Sequence, residues 1–486
     1  ARQSEWTTRV KNAIERERER ETGRETERPE ENVALPEGGL EEAETRRASS
    51  DSQPANQQEN TNNKQKRERT LSRQVVANQR LLMMAFRACR RRFRRTRSKA
   101  APSERTTTAT TSSSVSSSST SSVSSPSSRS SSEVCDMVIT VEDGVEWREV
   151  SVKKNPGDEI VKLKFTMQRV LGRGTFGSVC RIVTYEGETL ALKSQELDQN
   201  FISRELEVLK MIDHPNIVHL KYYYMDSDEE SVRLHIVMDY IQDTLHRVLM
   251  QFRKRAKLIP AVLIKVITHQ FFRAIKYLHV RNIAHRDLKP SNILVHVESG
   301  RVKLCDFGSA KRLVSGETHI AYICTRHYRA PELVMGSTCY TAKVDIWSAG
   351  LILAEMFLLH PVFCGESNLD QLTEMIRLLG TPTKKEIRAL HPNFPVGLPK
   401  REPMSWSEIL EHKVEPQAIA IISNMIRYGP ADRLDPWEAL SYSFFSEVRS
   451  PKCRLPSGNP LPPLDDFTLE ELGHSPKIKE LFERVA

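Results

Sequence analysis

One octet constrains this chain more than any other stretch: His285-Arg286-Asp287-Leu288-Lys289-Pro290-Ser291-Asn292, followed after a short hairpin by Asp306-Phe307-Gly308. The octet sets a carboxylate two residues before a lysine and five before an asparagine. The triplet brings a second carboxylate into the same cleft. A fold that honours this spacing gathers two carboxylates, an ammonium and an amide around one cavity.

Those side chains read as a phosphoryl-transfer centre. Moving a γ-phosphoryl group asks little covalent help of a protein, which must orient the hydroxyl, neutralise phosphate charge and hold Mg2+. Asp287 can accept the proton of an attacking hydroxyl and Lys289 can steady the moving phosphate. Asn292 and Asp306 offer the oxygen ligands that a hard cation prefers. The octet and triplet together resemble the catalytic loop and DFG signature of eukaryotic protein kinases. That resemblance implies an α+β, bilobal fold with a β-rich N-lobe and a helical C-lobe, and ATP and Mg2+ as cofactors.

At 486 residues the chain is long for one domain. Its composition is uneven, and four parts are expected. Residues 1–132 are dominated by Arg, Glu, Gln, Ser and Thr and bury too little to offset chain entropy, which predicts a disordered, basic, Ser-rich arm. Residues 133–164 hold leading strands, 165–448 the kinase-like domain, and 449–486 a proline-rich tail expected to pack along the surface. The net charge of +9 and pI near 9.1 arise largely from clusters such as Arg90-Arg91-Arg92-Phe93-Arg94-Arg95. A solvated basic arm is the plainer reading, so nucleic acid is not expected as a partner. The eight cysteines are scattered without CxxC pairs, which suits a reducing compartment, cytoplasm and nucleus. No apolar run approaches the roughly 18 residues needed to span a bilayer. Leu81-Leu82-Met83-Met84-Ala85-Phe86 is the one apolar run of the arm. The chain begins at Ala1 without a methionine, so a preceding targeting segment stays open.

Within the arm, residues 12–28 alternate Glu and Arg as an exposed helix would. Arg46-Arg47-Ala48-Ser49 and Arg67-Glu68-Arg69-Thr70-Leu71-Ser72 present arginines upstream of serine, making Ser49 and Ser72 candidate regulatory phosphosites. Beyond the arm, Gly172-Arg173-Gly174-Thr175-Phe176-Gly177 is weak evidence alone, since Rossmann folds share its pattern. A Rossmann loop opens a helix, however, whereas here Val179-Cys180-Arg181-Ile182-Val183 continues as a strand. Strand, glycine hairpin, strand is the kinase arrangement, and glycines let the backbone approach phosphates where a Cβ would clash. Leu190-Ala191-Leu192-Lys193 reads as a short buried strand ending in a cation, and residues 201–212 as a helix bearing Arg204 and Glu205. Residues 262–278 have helical periodicity. The run from Asp345 to Leu359 is almost wholly apolar and must be buried on all sides.

The kinase resemblance implies roles for these positions. Leu171, Gly172, Arg173, Gly174, Thr175, Phe176, Gly177, Val179 and Ala191 would line the ATP site. Lys193 would contact the phosphates and pair with Glu205, Met238 would be the gatekeeper, and Asp239, Tyr240 and Ile241 the hinge. Glu332, in Ala330-Pro331-Glu332, would pair with Arg433. Within the kinases the chain resembles the glycogen synthase kinase-3, or shaggy-type, family of the CMGC group. The resemblance rests on Leu304-Cys305-Asp306-Phe307-Gly308-Ser309-Ala310-Lys311, Tyr322-Ile323-Cys324-Thr325-Arg326, Asp370-Gln371-Leu372 and Leu379-Gly380-Thr381-Pro382-Thr383, and it runs from about Met137 to beyond Leu455.

A charge argument points the same way. Activation segments that carry their own phosphate gather cations around it. Here Arg204, Arg286 and Lys311 would be those cations, yet Ile320 stands where related enzymes place threonine. An external phosphate would relieve their repulsion. The resemblance accordingly implies a Ser/Thr kinase favouring protein substrates already phosphorylated four residues C-terminal to the target, with Tyr322 autophosphorylated. His327, Met238 and Thr373 depart from the family pattern. Thr373 falls in the scaffold-docking helix, although Leu369, Leu372 and Phe394 would keep that groove partly apolar. An inactive scaffold is argued against by the presence of Lys193, Asp287, Asn292 and Asp306 together. A cyclin-dependent or mitogen-activated enzyme is argued against by Ile320 and by the lack of a PSTAIRE-type helix.

Overall fold

The computed structural model describes residues 137–174, 177–197, 203–227, 231–314, 316–394 and 397–473. The arm, with Ser49, Ser72 and the apolar run at 81–86, lies outside the described residues, as do Thr175 and Phe176.

Alternation of apolar and polar residues builds the N-terminal part. Strands β1 (Val138–Glu142), β2 (Val145–Lys154), β3 (Ile160–Gly174), β4 (Gly177–Thr184) and β5 (Thr189–Leu197) pair antiparallel in chain order; β6 (Leu220–Ser227) and β7 (Val232–Asp239) complete the sheet as β5-β7-β6. A second edge of β2 meets β6 at Lys153–Tyr223 and Lys154–Tyr222, curling the sheet on itself. Every second residue points inward, so Val150, Val152, Leu163, Phe165, Ile182, Leu190, Leu192, Tyr224 and Val237 form one core. Contrary to the expectation from sequence, Lys193 does not end its strand. It sits within β5, paired with Val179 and Ile236, because β5 continues to Leu197 alongside β7.

Helix α1 (Arg204–Met211) follows β5. Ser203 is its N-cap and accepts a bond from the Leu206 amide; residues 201–202 of the expected helix lie outside the described residues. Leu206, Val208 and Leu209 bury one face, with Glu205 beside them.

The C-terminal part is helical. After the short β8 (Asp243–Thr244) come α2 (Leu245–Lys254) and α3 (Ala261–Val280). Most of α3 is buried, and it delivers the chain to β9 (Ile283–Ala284) and the octet. The hairpin β10 (Ile293–His296) and β11 (Arg301–Leu304) connects the octet to Asp306, and β12 (Lys311–Arg312) returns to pair with β9. Next come α4 (Pro331–Val334) and α5 (Lys343–Leu358), which is buried along nearly its whole length, as its unbroken apolar run requires. Helices α6 (Asn368–Leu379), α7 (Lys384–Leu390) and α8 (Pro416–Met425) follow, α8 packing on α5, and α9 (Leu469–Gly473) ends the described chain. Arg433 and Glu332 form the expected pair at 2.7 Å, both almost fully buried.

Two expectations are corrected here. The tail is not confined to the surface: Leu455 and Leu464 join the main core, and Glu471 is buried against Arg273 of α3. The residues of the expected scaffold groove do not stand open either. Leu372 is fully buried and Phe394 nearly so, and only Leu369 stays half-exposed. Their apolar surface is satisfied within the core, and Thr373 Oγ1 donates to the Leu369 carbonyl at 2.9 Å. No helix among the described residues is long and apolar enough to cross a membrane.

Candidate active site

The glycine hairpin lies at one edge of the candidate site. Gly174 and Gly177 face each other across β3 and β4, and Gly177 takes φ 131°. A Cβ there would lie 1.9 Å from the Ser194 carbonyl oxygen, so no other residue fits without moving β5. Gly172, Arg173 and Gly174 are exposed, whereas Leu171 and Val179 are half-buried and Ala191 is buried.

Lys193 donates to both oxygens of Glu205, at 2.8 and 2.7 Å, and to Asp306 Oδ1 at 3.0 Å. Burial works against the Lys193 charge, but Glu205 and Asp306 overcome it and hold the ammonium above its ordinary range. Burial likewise acts to raise Asp306, and the Lys193 ammonium reverses this and keeps the carboxyl below its usual range. Burial raises the Glu205 carboxyl above its usual range, with Lys193 opposing the shift.

Met238 is buried between Ala191 and Leu220 on the neighbouring strands. Asp239 turns its carboxylate to the His219 amide at 2.9 Å and to Lys303 at 2.8 Å. Tyr240 carries the Arg181 guanidinium over its ring and accepts from Arg169 at 3.2 Å, and Ile241 is buried.

The octet is built around Asp345, the buried acid opening α5. Its oxygens accept the amides of His285 at 2.8 Å and Arg286 at 2.9 Å. Arg286 has φ 65°, a conformation costly for a residue with a side chain, and these bonds hold it there. His285 bonds the Cys305 carbonyl at 3.0 Å and packs at a tilt against Phe307, while Asp306 itself takes φ 65°. Octet and triplet are thereby fixed to each other.

Asp287 is bonded on both oxygens. Oδ2 accepts Lys289 at 2.7 Å, and Oδ1 accepts both the amide and the hydroxyl of Thr325 at 2.8 Å. Asn292 Nδ2 donates to the Asp287 carbonyl at 2.9 Å, leaving its amide oxygen as an acceptor unused in that bond. Asp306 is half-exposed with one oxygen not bonded to Lys193. Two neutral or anionic oxygens beside a cleft suit Mg2+. Thr325 received no role from sequence; the signal was its place in the motif Tyr322-Ile323-Cys324-Thr325-Arg326, and no local pattern links it to a residue 38 positions away.

Arg204, Arg286 and Lys311 differ in their freedom. Arg204 is exposed and has no hydrogen bond or ion pair among the described residues. Arg286 is buried, giving Nε to the Ser309 carbonyl at 2.8 Å and Nη1 to the Tyr340 hydroxyl at 3.0 Å. Lys311 lies 3.6 Å from Glu317 and 3.2 Å from His319 Nδ1, so the expected absence of an internal anion is corrected. His319 is held below its ordinary pKa by burial first and then by Lys311 and Arg286, against the opposing charge of Glu317. Tyr322 is 70 % exposed, with the Arg329 guanidinium 4.6 Å above its ring.

A strand-rich part and a helical part meeting at paired carboxylates, an ion-paired lysine and a glycine hairpin define a phosphotransferase. The family model for the protein kinase domain matches residues 165–445, more than half of the chain, and the chain belongs to the protein kinase family. Protein phosphotransfer is the activity that domain carries.

Proposed function

We propose that this chain is a Ser/Thr kinase of the glycogen synthase kinase-3 type that transfers the γ-phosphoryl of Mg-ATP to protein hydroxyls. The observation that carries this reading is the paired engagement of Asp287, by Lys289 on one oxygen and Thr325 on the other, beside a Lys193 tied to both Glu205 and Asp306. In this reading Asp287 orients the hydroxyl and accepts its proton, and Lys289 shields the transferring charge. Asn292 and Asp306 would hold Mg2+. Lys193 would meet the α- and β-phosphates, the hairpin of Gly172, Gly174 and Gly177 would cover them, and the backbone from Asp239 to Ile241 would receive adenine behind Met238.

The exposed Arg204, without an ion pair among the described residues, and the charges of Arg286 and Lys311 support a preference for substrates primed by a phosphate four residues C-terminal to the target. The exposed Tyr322 beneath Arg329 supports autophosphorylation there, since a phosphate on that ring would find a cation close by.

The test is transfer of labelled phosphate from Mg-ATP to two matched serine peptides, primed and unprimed, with Asp306→Asn as control. Strong preference for the primed peptide supports the whole reading. Equal rates would retain the kinase and remove priming, and rates no higher than the control would remove the phosphotransfer assignment.

A further inference from the structure

The C-terminal segment reaches back to the loop that supports the site. Glu471 in α9 is buried, and four donors converge on its carboxylate. Arg273 gives Nε to Oε1 at 2.6 Å and Nη2 to Oε2 at 2.9 Å, the Thr468 amide gives to Oε2 at 2.7 Å, and His214 Nε2 lies 3.2 Å from Oε1. His214 Nδ1 accepts the Asn216 amide at 3.1 Å, so the ring proton resides on Nε2 and is donated to Glu471. The neutral ring is favoured further by burial, which lowers the His214 pKa. Burial alone would raise the Glu471 carboxyl, yet the Arg273, His214 and Thr468 bonds hold it far below the carboxylate range. Phe467 lies under the Arg273 guanidinium and meets Trp437 edge to face, which seats the segment.

What makes this more than a packed tail is where His214 leads. It follows α1, the eight-residue helix carrying Glu205, by three residues. A helix so short is not self-supporting. Its end is held by the loop, where the Asp213 amide bonds Tyr277 and the His214 ring packs on Tyr277. The same loop then joins β11: Leu304 donates to the Asn216 carbonyl at 2.8 Å and accepts the Val218 amide at 3.0 Å. Leu304 stands two residues before Asp306. One carboxylate from the C-terminal segment therefore steadies the joint from which both Glu205 and Asp306, the two partners of Lys193, are presented.

We infer that Glu471 is a positioning residue for nucleotide binding, acting through His214 and the loop at 212–218 to set the Glu205–Lys193–Asp306 triangle. The inference rests on the reading of that triangle as the nucleotide-phosphate site.

The experiment uses the full chain as wild type, Glu471→Gln and His214→Ala, with Glu470→Gln, which breaks only the half-exposed pair to Arg281, as control. Affinity for a non-hydrolysable Mg-ATP analogue and amide exchange over 204–218 and 301–306 are measured well below the unfolding temperature. Glu471→Gln and His214→Ala are each expected to weaken nucleotide binding about tenfold, within the usual range of coupling between linked sites. Exchange should rise over 204–218 while the buried α5 and the Glu470→Gln variant stay unchanged, and KM for ATP should move more than kcat. Increased exchange confined to 464–473, with nucleotide affinity within twofold of wild type, would overturn the inference. His214→Ala leaves the Arg273–Glu471 pair intact, so it decides the matter even if Glu471→Gln does not fold. Should the wild-type chain transfer no phosphate to any peptide, the kinase reading falls, while analogue affinity and exchange still decide the positioning role.

Discussion

Glu355 offers a pH test of how α5 supports the activation segment. It is 4 % exposed, and its Oε2 accepts the Tyr328 hydroxyl at 2.7 Å. Burial pushes its pKa up from the ordinary 4.5 to about 7, with the Tyr328 bond and the nearby His360 opposing the shift incompletely. The folded protein therefore keeps a proton that the unfolded chain releases near pH 4.5. Stability from this group is fully present below that value and is lost as pH rises towards 7, because over this window the native state binds more protons than the unfolded state. The displacement of roughly 2.5 units corresponds to on the order of 3 kcal/mol. Glu355→Gln keeps an acceptor for Tyr328 and cannot ionise, so its unfolding temperature relative to wild type should climb between pH 4.5 and 7.5 by on the order of 5 °C, then level off. Differential scanning fluorimetry of both proteins in matched buffers reads this directly, since all other titrations cancel in the difference. A difference that stays flat across the range would refute the assignment of a buried, proton-retaining Glu355.

Three further outcomes are expected. Thr325→Ala, which removes one of the bonds to Asp287 Oδ1, should lower kcat about tenfold with little change in KM for ATP, and Thr325→Ser should restore most of it; steady-state kinetics on a serine peptide would show an unaltered kcat if the contact were incidental. Arg433→Ala leaves Glu332 buried and unpaired and should cost about 3–5 kcal/mol by urea unfolding, a loss below about 1 kcal/mol being incompatible with the pair as described. Gly177→Ala forces a Cβ onto the Ser194 carbonyl and should weaken nucleotide affinity more than it changes the far-ultraviolet circular dichroism; unchanged affinity would mean that the hairpin tolerates a side chain.

Motifs of short span were legible in the residues alone. The octet and triplet are separated by one hairpin, and their chemistry needs particular side chains at particular spacings, so no other local structure explains them. The same holds for the strand, glycine hairpin and strand, and for α5, whose apolar residues on every face can be stable only when buried. Helix starts were less visible. The Ser203 cap at the start of α1 emerges from backbone geometry.

Residue order alone marks this as a kinase-type chain, with Lys193, Asp287, Asn292 and Asp306 each set in a short contiguous pattern. Only the folded packing shows which distant groups meet. Thr325 reaches Asp287 across 38 positions, and Glu471 reaches Arg273 across 198. It also decided that Lys311 has a carboxylate beside it and that Leu372 and Phe394 are closed into the core. Burial and pairing are properties of the whole packing: a charged or apolar side chain carries no local mark of which remote surface will cover it, and that surface exists only once the helices have closed around α5.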